Sequence, residues 1–124
     1  MNIPDDLLYT KDHEWISIVD DVATIGVTDY AQSELGDIIF IEFPNKGMKF
    51  NTGDPIGTIE AVKTVADIYS PVDGEILEIN RALEDKPESI NNDPYEKGWI
   101  LKLCKIHKDS SDLLTATDYK NMIK

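Results

Sequence analysis

The stretch Glu60-Ala61-Val62-Lys63-Thr64-Val65-Ala66-Asp67-Ile68-Tyr69-Ser70-Pro71-Val72-Asp73-Gly74-Glu75-Ile76 decides how the chain is read. It holds one lysine between two β-prone runs, Ile56 to Val62 and Val65 to Tyr69, and no other lysine occurs from Phe50 to Leu83. Runs of this composition with period-two alternation form strands. If they pair as a hairpin, Lys63 lies at the bend and points into solvent. A hairpin tip is the most accessible place for a group that a second enzyme must modify. A lysine amine on its four-carbon stem is a modifiable nucleophile on a flexible tether. From composition alone, an ordinary solvated turn lysine is the better reading.

The same short-strand pattern extends in both directions. Pro71-Val72-Asp73-Gly74 is a turn before a strand over Glu75 to Ile79. Upstream, Glu14 to Val19 and Val22 to Val27 are strands, and Asp20-Asp21 between them favours a hairpin. Thr28-Asp29 are caps for a helix of one or two turns over Tyr30 to Leu35, stopped by Gly36. Asp37 to Phe43 is apolar on both faces and is expected to be a central, buried strand. Pro44-Asn45-Lys46-Gly47 and Gly53-Asp54-Pro55 are turns. The polar Asn80 to Lys97 reads as a long surface loop, of a length that in compact domains is often functional. Gly98 to Ile106 is the last strand. At the C-terminus, Thr115-Ala116-Thr117-Asp118 matches a helix-capping pattern. Leu114 and Tyr119 are placed to form a hydrophobic staple, Met122 and Ile123 extend the apolar stripe, and the helix is expected to cover an open sheet edge. Gly36-Asp37 and Gly53-Asp54 each precede a strand, a faint internal symmetry. The fold class that follows is mainly β: a sandwich or flattened barrel of two antiparallel sheets (a barrel-sandwich hybrid), with a short internal helix and a C-terminal helix.

At 124 residues the chain fits a single domain, 1–124. Its 41% hydrophobic content is that of a globular protein. No run approaches the roughly 20 apolar residues of a membrane span. Twelve Lys and Arg against 24 Asp and Glu give a net charge of −12. Such a surface repels nucleic acid and anionic membranes and suits partners with basic patches, and solubility alone explains the charge equally well. The acidic start, Met1 to Trp15, resembles neither a secretory signal nor an Arg-rich transit peptide, so a cytoplasmic protein is expected. The one cysteine, Cys104, cannot form an intrachain disulfide and is expected to be a small buried strand residue. His13 and His107 lie far apart in sequence, and no Cys/His set has zinc-ligand spacing. His13 is expected to be structural or on the surface, with a partner contact as the alternative. No Gly-rich phosphate loop is present. The near-absence of catalytic patterns favours a carrier or binding module over an autonomous enzyme.

Around Lys63 the sequence resembles the attachment hairpin of the biotinyl/lipoyl carrier family. In the lipoyl branch a Glu stands three residues before the lysine and a Gly eleven after; here these are Glu60 and Gly74, and Gly57 also fits. The biotinyl branch usually flanks its lysine with Met, whereas here the neighbours are Val62 and Thr64. The resemblance then covers nearly the whole chain. Tyr9 to Trp15, Gly26 to Gln32, Leu35 to Ile38, Pro71 to Ile76 with Asn80, and Pro87 with Ile90-Asn91 match the glycine cleavage H-protein family in order. So do Asp93-Pro94-Tyr95, Gly98-Trp99, Leu113-Leu114 and Tyr119. Thr115, where an acidic cap is common, and Ala61, where Ser is common, are the departures.

That resemblance implies the same sandwich fold and a lipoate joined to Lys63 as an amide. Glu60 and Gly74 would be read by the lipoylating enzyme, and Val62, Thr64 and Val65 would shape the tip. The partners implied are glycine decarboxylase, which loads an aminomethyl group, the aminomethyltransferase, which passes the one-carbon unit to tetrahydrofolate, and dihydrolipoyl dehydrogenase, which reoxidises the dithiol. The chain would be a monomeric, non-catalytic carrier. Its loaded arm is expected to fold into a groove beside the hairpin. An H-like protein that donates lipoate to other complexes is the alternative role.

Overall fold

The protein is described by a computed structural model covering residues 1–105 and 113–124. Two antiparallel sheets face each other. The larger is formed by β1 (Leu8–Tyr9), β2 (Glu14–Val19), β3 (Val22–Val27), β9 (Leu101–Lys105), β8 (Gly74–Ile79) and β5 (Lys49–Phe50), in that spatial order. The smaller holds β4 (Ile38–Glu42), β6 (Pro55–Ala61) and β7 (Val65–Tyr69), with β6 central. The helix α1 (Asp29–Leu35) links the sheets, and α4 (Ala116–Met122) ends the chain. This is the expected mainly-β sandwich with an internal and a C-terminal helix. Ile16, Ile25, Leu101, Leu103 and Ile76 from the larger sheet and Ile41, Ile59 and Ile68 from the smaller one belong to one buried apolar cluster. Each points inward because its strand alternates.

Local chemistry sets the joints. Asp20 and Asp21 both take positive φ, 50° and 64°, which lets the two-residue turn match the twist of β2 and β3. Thr28 caps α1 by accepting from the Ala31 N–H at 3.1 Å. Thr115 likewise caps α4, accepting from the Asp118 N–H at 3.2 Å. Leu114 and Tyr119 join one apolar cluster, as the staple requires. Tyr119 stacks on Tyr9 with ring centres 4.8 Å apart, and Leu114 exchanges backbone hydrogen bonds with Tyr9. The α4 segment thus covers the β1 edge. Ile123 packs into that cluster, but Met122 is exposed and does not extend the stripe.

Four expectations are corrected. The β4 strand is an edge strand, not a central one, and its Ile39 and Phe40 are about half exposed. Its apolarity on both faces reflects a register shift between Ile38 and Phe40 rather than burial on both sides. The 80–97 segment is not plain loop: α2 (Ala82–Asp85) and α3 (Ser89–Asn92) are single turns, pinned because Leu83 and Ile90 plug the main core. The last strand begins at Leu101, since Gly98 and Trp99 hydrogen-bond back to Asp93 and Glu96 in a turn. Ile106 and His107 lie outside the described residues. Cys104 is exposed: Leu101 and Leu103 take the inward positions of β9, and alternation turns Cys104 outward. The two-residue strands β1 and β5 were not anticipated, because a pair of residues carries no period.

Candidate functional site

The hairpin forms as expected. Glu60 pairs with Val65 and Ile59 with Ala66, and the Ala61 N–H donates to the Thr64 carbonyl at 2.8 Å. Val62 and Lys63 form the tip, both exposed. The Val62 N–H donates to the Asp37 carbonyl at 3.0 Å, which fastens the tip to the turn after α1. That turn is a shelf for the lysine. Gly36 adopts φ 80° and ψ −156°, a conformation essentially restricted to glycine. Lys63 passes so close that a Cβ on Gly36 would stand 3.0 Å from its Cε. The shelf is held from the far side by Asn91 of α3. Its amide donates to the Gly36 carbonyl at 2.8 Å and to Gln32 Oε1 at 3.1 Å, and its oxygen accepts from the Ile38 N–H at 3.0 Å. The Lys63 ammonium has no hydrogen-bond or ion-pair partner among the described residues.

Glu60, Val62, Thr64 and Val65 surround Lys63 and are all exposed. Gly74 is not among them. It is buried at the start of β8, in the larger sheet, paired with Phe50 and Lys105. Its φ is not positive; the reason for glycine is close approach, since a Cβ there would meet the Cys104 carbonyl oxygen at 2.8 Å.

A groove of about 250 Å³ opens between α1 and the hairpin. Val27, Ala31, Leu35 and Ile59 give it an apolar lining, and Ala66 and Asp67 bring it along β7 toward the tip. Four carboxylates also line it: Asp12, Glu14, Glu34 and Asp67. Sequence reading singled out none of the four, and Glu14 is the most deeply buried of them. It is only 2% exposed, and it accepts from the Tyr69 N–H at 2.7 Å and the Thr10 hydroxyl at 3.0 Å. Burial raises its pKa to about 8, against the opposing pull of those two hydrogen bonds. The only sequence signal was an acidic residue opening an apolar strand.

His13 also lines the groove. It has a positive φ of 67°, and its Nδ1 is 2.8 Å from the Tyr119 hydroxyl, which is in turn 2.7 Å from the Thr28 hydroxyl. Burial lowers its pKa, with Asp12 and Glu34 opposing. One tyrosine of α4 therefore ties the groove wall to the cap of α1, which gives His13 a structural role. A roomier hollow of about 520 Å³, lined by Asn80, Lys86 and Trp99, borrows no residue from the hairpin.

Among the described residues no helix is long and apolar enough to cross a membrane, and no group of three His, Cys, Asp or Glu could hold a metal. A β-sandwich that presents a lysine, unpartnered among the described residues, on a hairpin tip next to an acidic groove has the build of a carrier module. Comparison with known proteins narrows that class. The family profile for "Glycine cleavage H-protein" matches residues 7–124. The chain is 50% identical over 121 residues to the glycine cleavage system H protein of Listeria innocua, covering 97% of both chains. It is 48% identical over 122 residues to that of Rubrobacter xylanophilus, covering 98% of this chain and 95% of the relative. The crystal structure of a glycine cleavage system H protein from Mycobacterium marinum superposes with a TM-score of 0.92 at 37% identity, covering 98% of both chains. The chain belongs to the glycine cleavage H-protein family, a carrier component of the glycine cleavage system.

Proposed function

We propose that residues 1–124 form one monomeric, cytoplasmic lipoyl-carrier domain, with lipoate attached to Lys63. The partners in this reading are the lipoylating enzyme, glycine decarboxylase, the aminomethyltransferase and dihydrolipoyl dehydrogenase, and the carrier itself catalyses nothing. The observation that carries it is the free Lys63 amine at the tip of a hairpin, with its stem bedded on Gly36 and a groove alongside. When bound, lipoate supplies a dithiolane that accepts the aminomethyl cargo and is reduced in doing so.

The chain's own residues hold the anchor and receive the amine. Gly36 and Asn91 fix the shelf under the Lys63 stem. Losing the ammonium to an amide leaves no buried charge, because the amine has no partner to abandon among the described residues. The groove suits a cationic amine: four carboxylates line it, and His13, whose pKa burial lowers, adds little positive charge at neutral pH. With a pKa of about 8, Glu14 is largely protonated at pH 7 in the empty groove. An ammonium beside it favours the carboxylate, so Glu14 releases a proton as the amine enters and regains it as the amine leaves. The apolar lining keeps water from the cargo between partners.

Intact mass measurement with peptide mapping, after incubation with a lipoate ligase, ATP and lipoate, tests the anchor. The expected result is one lipoyl group on the peptide carrying Lys63, absent from Lys63→Ala. Folded wild-type protein that gains nothing returns Lys63 to an ordinary turn lysine.

A further inference from the structure

The smaller sheet turns an unusual face to solvent. Register sets Phe40, Glu60 and Val65 side by side across β4, β6 and β7, and all three are exposed. The β4 register jumps from Ile38 opposite Ala61 to Phe40 opposite Glu60, so Ile39 is an extra residue. A bulge of this kind re-aims a side chain that alternation would have turned inward. Ile39 and Phe40, at 54% and 51% exposure, are therefore two consecutive large apolar residues left uncovered, with Val62 at 71% and Val65 at 60% nearer the tip. Glu60 stands between Phe40 and Val65 with no partner among the described residues, and Asp37, Glu42 and Asp67 are exposed around the patch.

We infer that this patch is the footprint of the lipoylating enzyme in particular. The inference rests on Lys63 being the lipoyl anchor. Reach selects the partner. Before modification the reactive atom is the lysine Nζ, on a four-carbon stem whose far end passes over Gly36. The enzyme that acylates it must bring its active site down to the tip and cover the neighbouring surface. Enzymes that act afterwards meet a group at the end of a much longer chain and can work at a distance. In the acylation, Nζ gives up a proton and attacks the lipoyl carboxyl activated as an adenylate. The amide bond forms and adenosine monophosphate leaves. The partner surface that fits has an apolar recess for Phe40 and Ile39, and cationic side chains at the rim facing Glu60 and the surrounding carboxylates. Buried aromatics at the centre of such contacts carry much of the binding energy, and rim charges set encounter rate.

The test compares lipoylation kinetics of full-length wild type, Phe40→Asp, Ile39→Ser and Leu77→Asp, using lipoate ligase, ATP and lipoate with readout by intact mass. Thermal melts confirm folding. Leu77 is an exposed apolar residue on β8, in the other sheet, and serves as the control. Phe40→Asp is expected to lower kcat/KM for lipoylation about tenfold or more, equivalent to about 1.4 kcal/mol, with a smaller drop for Ile39→Ser and none for Leu77→Asp. Phe40→Asp driven to full lipoylation with excess ligase is expected to be reduced by dihydrolipoyl dehydrogenase and NADH at the wild-type rate. Wild-type kcat/KM in folded Phe40→Asp overturns the inference. Equal slowing of lipoylation and of the later reduction also overturns it, since the patch would then serve every partner alike. Failure of wild type itself to accept lipoate instead overturns the carrier reading.

Discussion

The Lys63 side chain runs over the backbone of Gly36 so closely that a methyl group on that glycine would come within 3.0 Å of Lys63 Cε. Two segments distant in sequence, the end of α1 and the β6–β7 tip, thus build one support. Gly36→Ala is expected to destabilise the protein by about 1–3 kcal/mol, because the backbone there is closed to side chains. The lysine stem is flexible and yields, so lipoylation at Lys63 should persist. Urea unfolding and a ligase assay on the same variant check both halves.

Glu14 gives stability a definite pH dependence. Its folded pKa of about 8 lies above the ordinary carboxylate value, so between about pH 4.5 and 8 the folded state binds more protons than the unfolded chain. Its contribution is fully present below the unfolded pKa and is lost as pH rises through 8. Glutamine mimics the neutral acid: its oxygen can accept from Tyr69 N–H and its amide can donate to Thr10. The stability of wild type relative to Glu14→Gln should therefore fall between pH 5 and pH 8.5, by an amount on the order of a few kcal/mol. Denaturant unfolding of both proteins across that range measures it, and a flat difference would mean that Glu14 is ordinary.

Tyr119→Phe keeps the ring stacked on Tyr9 and removes only the hydroxyl that contacts His13 and Thr28. Leaving His13 and the fully buried Thr28 hydroxyl each one partner short should cost about 1–3 kcal/mol. A matching drop in denaturation midpoint is expected. Because His13 lines the groove, its imidazole resonances should shift as well, which a loss confined to α4 would not produce.

The charge of −12 should steer association with basic partner surfaces. The rate at which dihydrolipoyl dehydrogenase and NADH reduce the lipoylated carrier is expected to fall as ionic strength rises from about 0.01 M to about 0.5 M, where screening shortens from about 30 Å to a few ångström. A rate indifferent to salt argues against steering.

The hairpins and caps were legible because their signals are local. Two strand patterns flanking a lysine, an Asp-Asp turn and a Thr-x-x-Asp cap all declare themselves within a few residues, whereas the reading of Lys63 as an anchor rested on the family resemblance. The groove was not. Glu14 opens an ordinary strand pattern, and only folding brings it to Tyr69, 55 residues away. Phe40 and Ile39 misled for a related reason: an apolar run reads as burial, and the bulge that exposes it depends on register with β6. The single-turn helices α2 and α3 are too short for a period, and what holds them is the pair of plugs, Leu83 and Ile90. Gly74 looked like a turn glycine, yet the reason for it is the Cys104 carbonyl on a neighbouring strand.

The β4 edge strand brings a colloidal consequence. Although α2 packs beside it and Asn91 takes up its Ile38 N–H, it leaves two large apolar side chains exposed, on which copies can stack. At neutral pH the mutual repulsion of strongly anionic molecules, together with the kink of the bulge, keeps copies apart. Near pH 4.4, the isoelectric point of the sequence, that repulsion vanishes and only the kink remains. Near that pH the exposed apolar pair of β4 becomes the surface on which copies meet, and precipitation should begin from the face beside the Lys63 hairpin.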